Sequence, residues 1–225
     1  MDSPVVLMLP FTGWWVVQNS PARRVPSHGS DLLGQRYAID FVGVDERGRT
    51  APMRDWRTFL ATEPPERFFA FGRPILAPVA GVVVAVHEGE PDHEARRSPL
   101  ALVPYALGQA RRLREGYAAV AGNHVVIQDA ASGAFVTLVH LRRGSVRVRA
   151  GEVVALGQVV AECGNSGNST QPHVHVQVTD SSDFATATGL PAAFRDYREW
   201  PAGGAPAEDR EVGVPGEGSV VAPRG

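Results

Sequence analysis

Two histidines one residue apart, His173 and His175, are the residues of this 225-residue sequence best placed to do chemistry. They stand in His173-Val174-His175-Val176-Gln177-Val178, where polar and apolar residues alternate. Successive side chains of a β-strand point to opposite faces. Val174, Val176 and Val178 then face a core, and His173, His175 and Gln177 share the other face, with like-facing Cα atoms about 7 Å apart. One imidazole can hold a metal there while the other acts on what the metal binds. The preceding Gly164–Pro172 segment, GNSGNSTQP, is a loop of small polar residues that leaves space beside the histidines and supplies backbone N–H groups. Taken alone, the pair fits the polar face of an ordinary surface strand better than a metal site.

Three more residues change the weighing. Asp40 sits among apolar strand residues in Tyr37-Ala38-Ile39-Asp40-Phe41-Val42. A carboxylate there must be exposed at a cleft, paired or metal-bound, because burying it unpaired is costly. The plain alternative is a salt bridge to one of the many arginines. His140 ends the apolar run Phe135–Val139, where a surface strand-end histidine is the plain alternative, and His28 lies in Pro26-Ser27-His28-Gly29, an ordinary loop histidine if nothing else. Together, His, Asp and His form a donor set suited to a catalytic zinc with a fourth position left for water. Two further histidines could then serve as acid/base groups or transition-state donors.

Positioning these residues falls to short valine-rich runs punctuated by Gly, Pro or Asn, which read as mostly β. Strands are expected at Val5–Leu9, Trp14–Gln18, Tyr37–Val42, Gly81–His87, His124–Asp129, Phe135–His140, Gln158–Glu162 and His173–Thr179. Val148, Gly151, Val154, Gly157 and Val160 recur every three residues, a period of neither helix nor strand. It suggests short strands separated by tight glycine turns over a compact sandwich. Biotinyl and lipoyl carrier domains share that rhythm, but they attach their cofactor to lysine and all 22 basic residues here are arginine. The expected organisation is one domain over residues 1–200, with insertions at about 47–73 and 88–121. Helical potential lies around Asp55–Ala61, a short inserted helix within 99–117, and a disordered tail at 201–225, where Pro, Gly and Ala replace core material.

The net charge of −2 does not favour nucleic acid as a partner. The single cysteine, Cys163, excludes an intrachain disulfide and a multi-cysteine zinc site. The apolar stretch at 5–17 is interrupted by Pro10, Thr12 and Gly13 and lacks a basic start, so it reads as two core strands rather than a membrane span or signal peptide.

These residues resemble the lysostaphin-type (LytM, M23) zinc metallopeptidases. The resemblance runs from about His28 to Val178 and rests on Asp40 in YAIDF, on VTLVHL ending at His140–Leu141, and on GNSGNSTQPHVHVQV. APVAGVVVAV, GNHVVI and the Val-Gly repeat agree with it. The order Asp, single His, His-x-His, each in its setting, is a specific signal. The resemblance implies an antiparallel β-sandwich of the barrel-sandwich or duplicated-hybrid-motif kind. It implies Zn2+ held by His28, Asp40 and His175, with His173 and His140 catalytic. His173 would activate water, and His140 would orient water or stabilise the oxyanion. One spacing departs from the pattern: the family places the first histidine four residues before the aspartate, where Arg36 stands here. A longer loop, Gly29–Arg36, could return His28 to the metal at little entropic cost. His87, His93 and His124 are the rival ligands, and His28 is preferred.

The function so implied is metal-assisted hydrolysis of peptide bonds, in peptidoglycan cross-links or glycine-containing peptides, at the cell envelope or outside the cell. No signal peptide is visible, so a cytoplasmic site stays open. The alternatives are a non-catalytic LytM-like domain that binds and activates a cell-wall amidase, a phosphotransfer domain using two facing histidines, and a plain interaction domain.

Overall fold

A computed structural model describes residues 3–53, 55–98, 100 and 117–224. Thirteen strands follow in chain order. They are β1 (Val5–Met8), β2 (Trp15–Gln18), β3 (Ile39–Gly43), β4 (Pro74–Leu76), β5 (Gly81–His87), β6 (Asn123–Asp129) and β7 (Phe135–Leu141). Then come β8 (Val153–Val154), β9 (Val159–Glu162), β10 (Val174–Thr179), β11 (Ala192–Trp200), β12 (Glu208–Gly213) and β13 (Val220–Pro223). The mostly β expectation holds, and eight of these strands coincide with expected ones to within two residues at either end.

Eleven strands form one sheet in the order β1-β11-β13-β2-β3-β10-β7-β6-β5-β8, with β12 paired to β11, while β4 and β9 form a separate ribbon. All ladders are antiparallel except β1 on β11, where Val5 stands opposite Ala192 in parallel register. Parallel neighbours need a long crossover, and here nearly the whole domain lies between the two strands. The valines of the three-residue rhythm, Val148, Val154 and Val160, are all buried. Gly151 and Gly157 between them hold φ of +87° and +78°, the left-handed backbone that a glycine turn accepts without penalty.

One face of the sheet carries the core. Phe11 stacks on Trp15 with ring centroids 4.5 Å apart, Phe41 packs edge-on against Phe11 and Phe194, and Val174, Val176 and Val178 of β10 belong to the same cluster. Each such fully buried side chain contributes roughly 1.5–3 kcal/mol. The valine face of β10 therefore anchors the strand, and the register of β3, β10 and β7 fixes what stands on the opposite face.

The chain end departs from the expected disordered tail. β12 adds to the edge of the sheet, and β13 inserts between β11 and β2, pairing Val220 with Val16 and Val221 with Trp15. Val221 is fully buried. Two short elements beside proline and glycine supply core material that composition alone concealed.

Of the insertions, the helix expected near Asp55–Ala61 forms at α1 (Trp56–Leu60), capped by the Asp55 side chain. It is clamped by buried Glu63, whose carboxylate takes two hydrogen bonds from Arg97 at 2.7 and 2.6 Å. Most of the helix expected within 99–117 lies outside the described residues; a helical turn at Tyr117–Ala121 leads into β6.

Candidate metal centre

β3 and β10 pair so that Asp40 lies directly opposite His175. Both face away from the core, yet both are buried, because loops roof the sheet here. His175 Nδ1 lies 2.8 Å from Asp40 Oδ1, and His28 Nε2 lies 3.1 Å from Asp40 Oδ2. One donor atom from each of His28, Asp40 and His175 falls within 4.8 Å of the others. The structure thus brings together the three residues read from the sequence as ligands. His87, His93 and His124 lie elsewhere: His87 pairs with Glu90, His93 Nε2 bonds the Gly167 carbonyl, and His124 Nδ1 bonds the Gly122 carbonyl.

His28 reaches Asp40 because the lengthened loop is pinched at its base. Ser27 N–H donates to the Arg36 carbonyl at 3.0 Å. The residues between form a closed excursion, so His28 re-enters beside the start of β3 as though they were absent. Arg36, in the position the family gives to histidine, turns outward and pairs with Asp31 at 2.8 Å.

The two remaining histidines flank this trio. The His173 ring lies 4.7 Å from that of His140, and His173 Nε2 lies 3.7 Å from Asp40 Oδ1. Their outer nitrogens are fixed by backbone carbonyls, His173 Nδ1 by Gln171 at 2.8 Å and His140 Nδ1 by Ser166 at 2.9 Å. A carbonyl only accepts, so Nδ1 carries the hydrogen in both rings, and Nε2 of each neutral ring is an acceptor. His140 adopts a left-handed φ of +63°. Such strain persists only where surroundings over-determine it, and here the Gly164 amide holds the His140 carbonyl while Ser166 holds its ring. The Gly164–Pro172 loop therefore contributes carbonyls at Ser166 and Gln171 to the two rings, besides the Gly164 N–H that holds the His140 carbonyl. Its close approach needs glycine, because a Cβ on Gly167 would collide with the backbone nitrogen of Gly122.

Burial opposes the Asp40 charge, but the imidazoles of His28, His173 and His175 packed against it outweigh that and hold the carboxyl well below its ordinary value. Burial, reinforced by His173 and His175, pushes His140 well below the usual histidine range and keeps it neutral. The expected alternative for Asp40, an arginine salt bridge, is not found among the described residues. Its partners are imidazoles and Asn19, whose Nδ2 donates to Oδ2 at 2.7 Å. Asn19 went unread in the sequence, and its only signal there is an Asn-Ser-Pro turn after a strand. Two nitrogens and a carboxylate converging on one point, with room beside them, match the donor chemistry of zinc with an open position. That room is a cleft of about 210 Å3 lined by Gln18, Asn19, Leu33, Tyr117, Thr170 and Gln171 beside the site residues.

A mostly β domain presenting this donor set beside two imidazoles with bare Nε2 atoms has the groups that metal-assisted hydrolysis requires. Residues 105–186, which include His140, His173 and His175, match the model described as peptidase family M23. That stretch is similar to the M23 metallopeptidases, and the donor set that joins it from His28 and Asp40 is one that suits zinc. His28 and Asp40 precede the matched stretch and are joined to it by the pairing of β3 with β10. No curated protein matches the chain. Among solved structures, the lysostaphin catalytic domain of Staphylococcus simulans is similar at 18% identity over 68% of this chain and 74% of that one, with a TM-score of 0.38. The catalytic domain of the prophage-encoded M23 protein EnpA of Enterococcus faecalis, in the form of a point mutant, is similar at 18% identity over 85% and 91%, with a TM-score of 0.40.

Proposed function

We propose that this metallopeptidase is an endopeptidase of peptidoglycan cross-links, with His28, Asp40 and His175 as its zinc ligands and His173 as its base. The observation that carries the reading is the convergence of three ligand atoms within 4.8 Å beside two histidines whose Nδ1 hydrogens are already committed to carbonyls. Zinc bound there supplies a Lewis acid that polarises a scissile carbonyl and brings the acidity of water into the neutral range. His173 Nε2, a lone pair directed at the site, accepts the proton of the attacking water, and the Gln171 carbonyl stabilises the imidazolium that forms. His140 presents a second lone pair rather than a donor. This favours the water-orienting role of the two roles the resemblance allows, because holding an oxyanion would require a charge that burial resists. The cleft, where the polar side chains of Asn19, Thr170 and Gln171 stand beside Leu33 and Tyr117, suits an extended peptide of small residues such as glycine. A cross-link substrate places the enzyme at the envelope or outside the cell. Among the described residues no helix is long and apolar enough to cross a membrane.

The test is metal content and hydrolysis together. The zinc-loaded protein is assayed on purified peptidoglycan and on an oligoglycine peptide. His175→Ala and His28→Ala should lose both zinc and activity. His173→Ala should keep zinc and lose about 10²–10⁴-fold in rate. A protein that takes up no zinc refutes the site. Zinc binding without cleavage of either substrate refutes the substrate class and favours the non-catalytic, amidase-binding role.

A further inference from the structure

The loop that carries His28 away from its usual spacing also touches the far side of both histidine ligands. We propose that loop 29–36 is their shared outer anchor, with Gln177 and Ser27 as positioning residues that select which nitrogen of each ring faces the metal. This rests on the zinc-site reading above.

Consider His175 first. Gln177 stands two residues on along β10, on the same face, and is buried. Its Nε2 donates to the Leu33 carbonyl at 3.0 Å. A carbonyl can only accept, so the amide orientation is fixed and Oε1 must face the other way. Oε1 lies 3.1 Å from His175 Nε2, which must therefore carry the ring hydrogen. Nδ1 is left bare, 2.8 Å from an Asp40 carboxylate oxygen. Two acceptors at that separation repel unless a cation lies between them.

His28 shows the same order of contacts. Its Nδ1 lies 3.0 Å from Ser27 Oγ, and Ser27 Oγ donates onward to the Gln35 carbonyl at 3.4 Å. For Nε2 to serve as a ligand beside Asp40 Oδ2, the ring hydrogen must lie on Nδ1, where Ser27 Oγ accepts it. Both relays thus end on carbonyls of one loop, at Leu33 and Gln35. Outer partners of this kind fix ring orientation and tautomer and raise ligand basicity.

The loop is built to present these carbonyls. Leu33 and Gly34 hold left-handed φ of +60° and +73°, a conformation costly for leucine. The Gly34 position lies so close to β10 that a Cβ there would meet Thr179 Cγ2 at 2.5 Å. His175, Gln177 and Thr179 are alternate residues of one strand face, so ligand, relay and docking point lie in a row. The insertion is therefore a functional part of the metal site rather than a spacer.

The experiment measures zinc affinity of the full chain by competition with a chromophoric chelator. Gln177→Leu and Ser27→Ala should each weaken zinc by about 10–100-fold. Ser27→Thr, which keeps the hydroxyl, should restore most of it, whereas Gln177→Glu, which keeps an acceptor for the ring N–H but sets a carboxylate oxygen against the Leu33 carbonyl, should restore only part. Gly34→Val, which alters no relay side chain but lifts the loop, should also weaken zinc. In the zinc-loaded wild type, 15N resonances of the rings should show metal on Nδ1 of His175 and Nε2 of His28, with hydrogen on the other nitrogens. The reverse assignment overturns the proposal even if a variant fails to fold. If His175→Ala abolishes zinc binding while folded Gln177→Leu and Ser27→Ala bind as tightly as wild type, this proposal alone fails. If the wild type binds no zinc, or His175→Ala leaves it unchanged, the zinc-site reading fails and this proposal with it.

Discussion

His124 gives the protein a measurable acid weakness separate from the metal site. It is buried against His87, Tyr117 and Phe184, with ring centroids 5.4, 5.1 and 6.0 Å away. Burial is the main cause that lowers its pKa from 6.5 to about 4, and the neighbouring His87 adds to it. The folded state then resists a proton that the unfolded chain accepts readily, so between those two values the unfolded state binds more protons and stability rises with pH. The full effect is about 3 kcal/mol, taking 1.36 kcal/mol per unit, and it is present above pH 6.5 and lost as pH falls toward 4. Going from about pH 7 to about pH 5 should cost about 2 kcal/mol from this group alone. The assay is urea unfolding of metal-free wild type and His124→Gln across that range. Glutamine can still donate to the Gly122 carbonyl but does not titrate. The variant should lose a constant amount at every pH and show a slope shallower by about 2 kcal/mol over the interval. Equal slopes in the two proteins would show that His124 is protonated in the native state, and the burial argument would be wrong.

Other perturbations reach different parts of the structure. Glu63→Ala removes a fully buried carboxylate from Arg97 and should destabilise the protein by about 3–5 kcal/mol, read as a fall in the thermal midpoint and faster proteolysis within residues 47–73. Asn19→Ala removes the 2.7 Å hydrogen bond to Asp40, and zinc competition should show affinity lower by roughly 10-fold with the fold retained. Cys163 is buried and its thiol is pushed well above its ordinary value by that burial, so thiol reagents should fail to label it in the native protein and label it at once in denaturant.

Much of this molecule was legible in its sequence because its central strands obey a simple rule. Along His173–Thr179, which spans β10 and the residue before it, strict alternation placed valines inward and His173, His175 and Gln177 outward, and the structure keeps that division. The glycine–valine rhythm at 148–160 was readable for a similar reason: each buried valine and each left-handed glycine has one geometric task. The outer strands were hidden. β12, Glu208–Gly213, is almost wholly exposed and carries no alternation to detect, and β13 is only four residues long beside prolines. The placement of His28 beside Asp40 could not be read directly, since it depends on a hydrogen bond between Ser27 and Arg36 that leaves no residue pattern. The outer partners of the site, Asn19 through its side chain and Leu33, Gln35, Ser166 and Gln171 through backbone carbonyls, were invisible for the same reason. Any residue has a carbonyl, and only the fold decides which one faces a histidine.

The clamp from the far end of the chain has a consequence for the order in which the protein can mature. Glu217 accepts from the Ser20 amide at 2.7 Å, and the Ser20 hydroxyl donates to the Pro215 carbonyl, so residues 215–217 grip the start of the segment that bears Asn19 and His28. β13 then closes the sheet between β11 and β2. During synthesis every residue of the metal site emerges before this clamp does. A ribosome-bound chain ending short of residue 217 would therefore leave the Asn19–His28 segment without this grip and β2 without its outer neighbour, while the pairing of β3 with β10 that sets Asp40 against His175 could already stand.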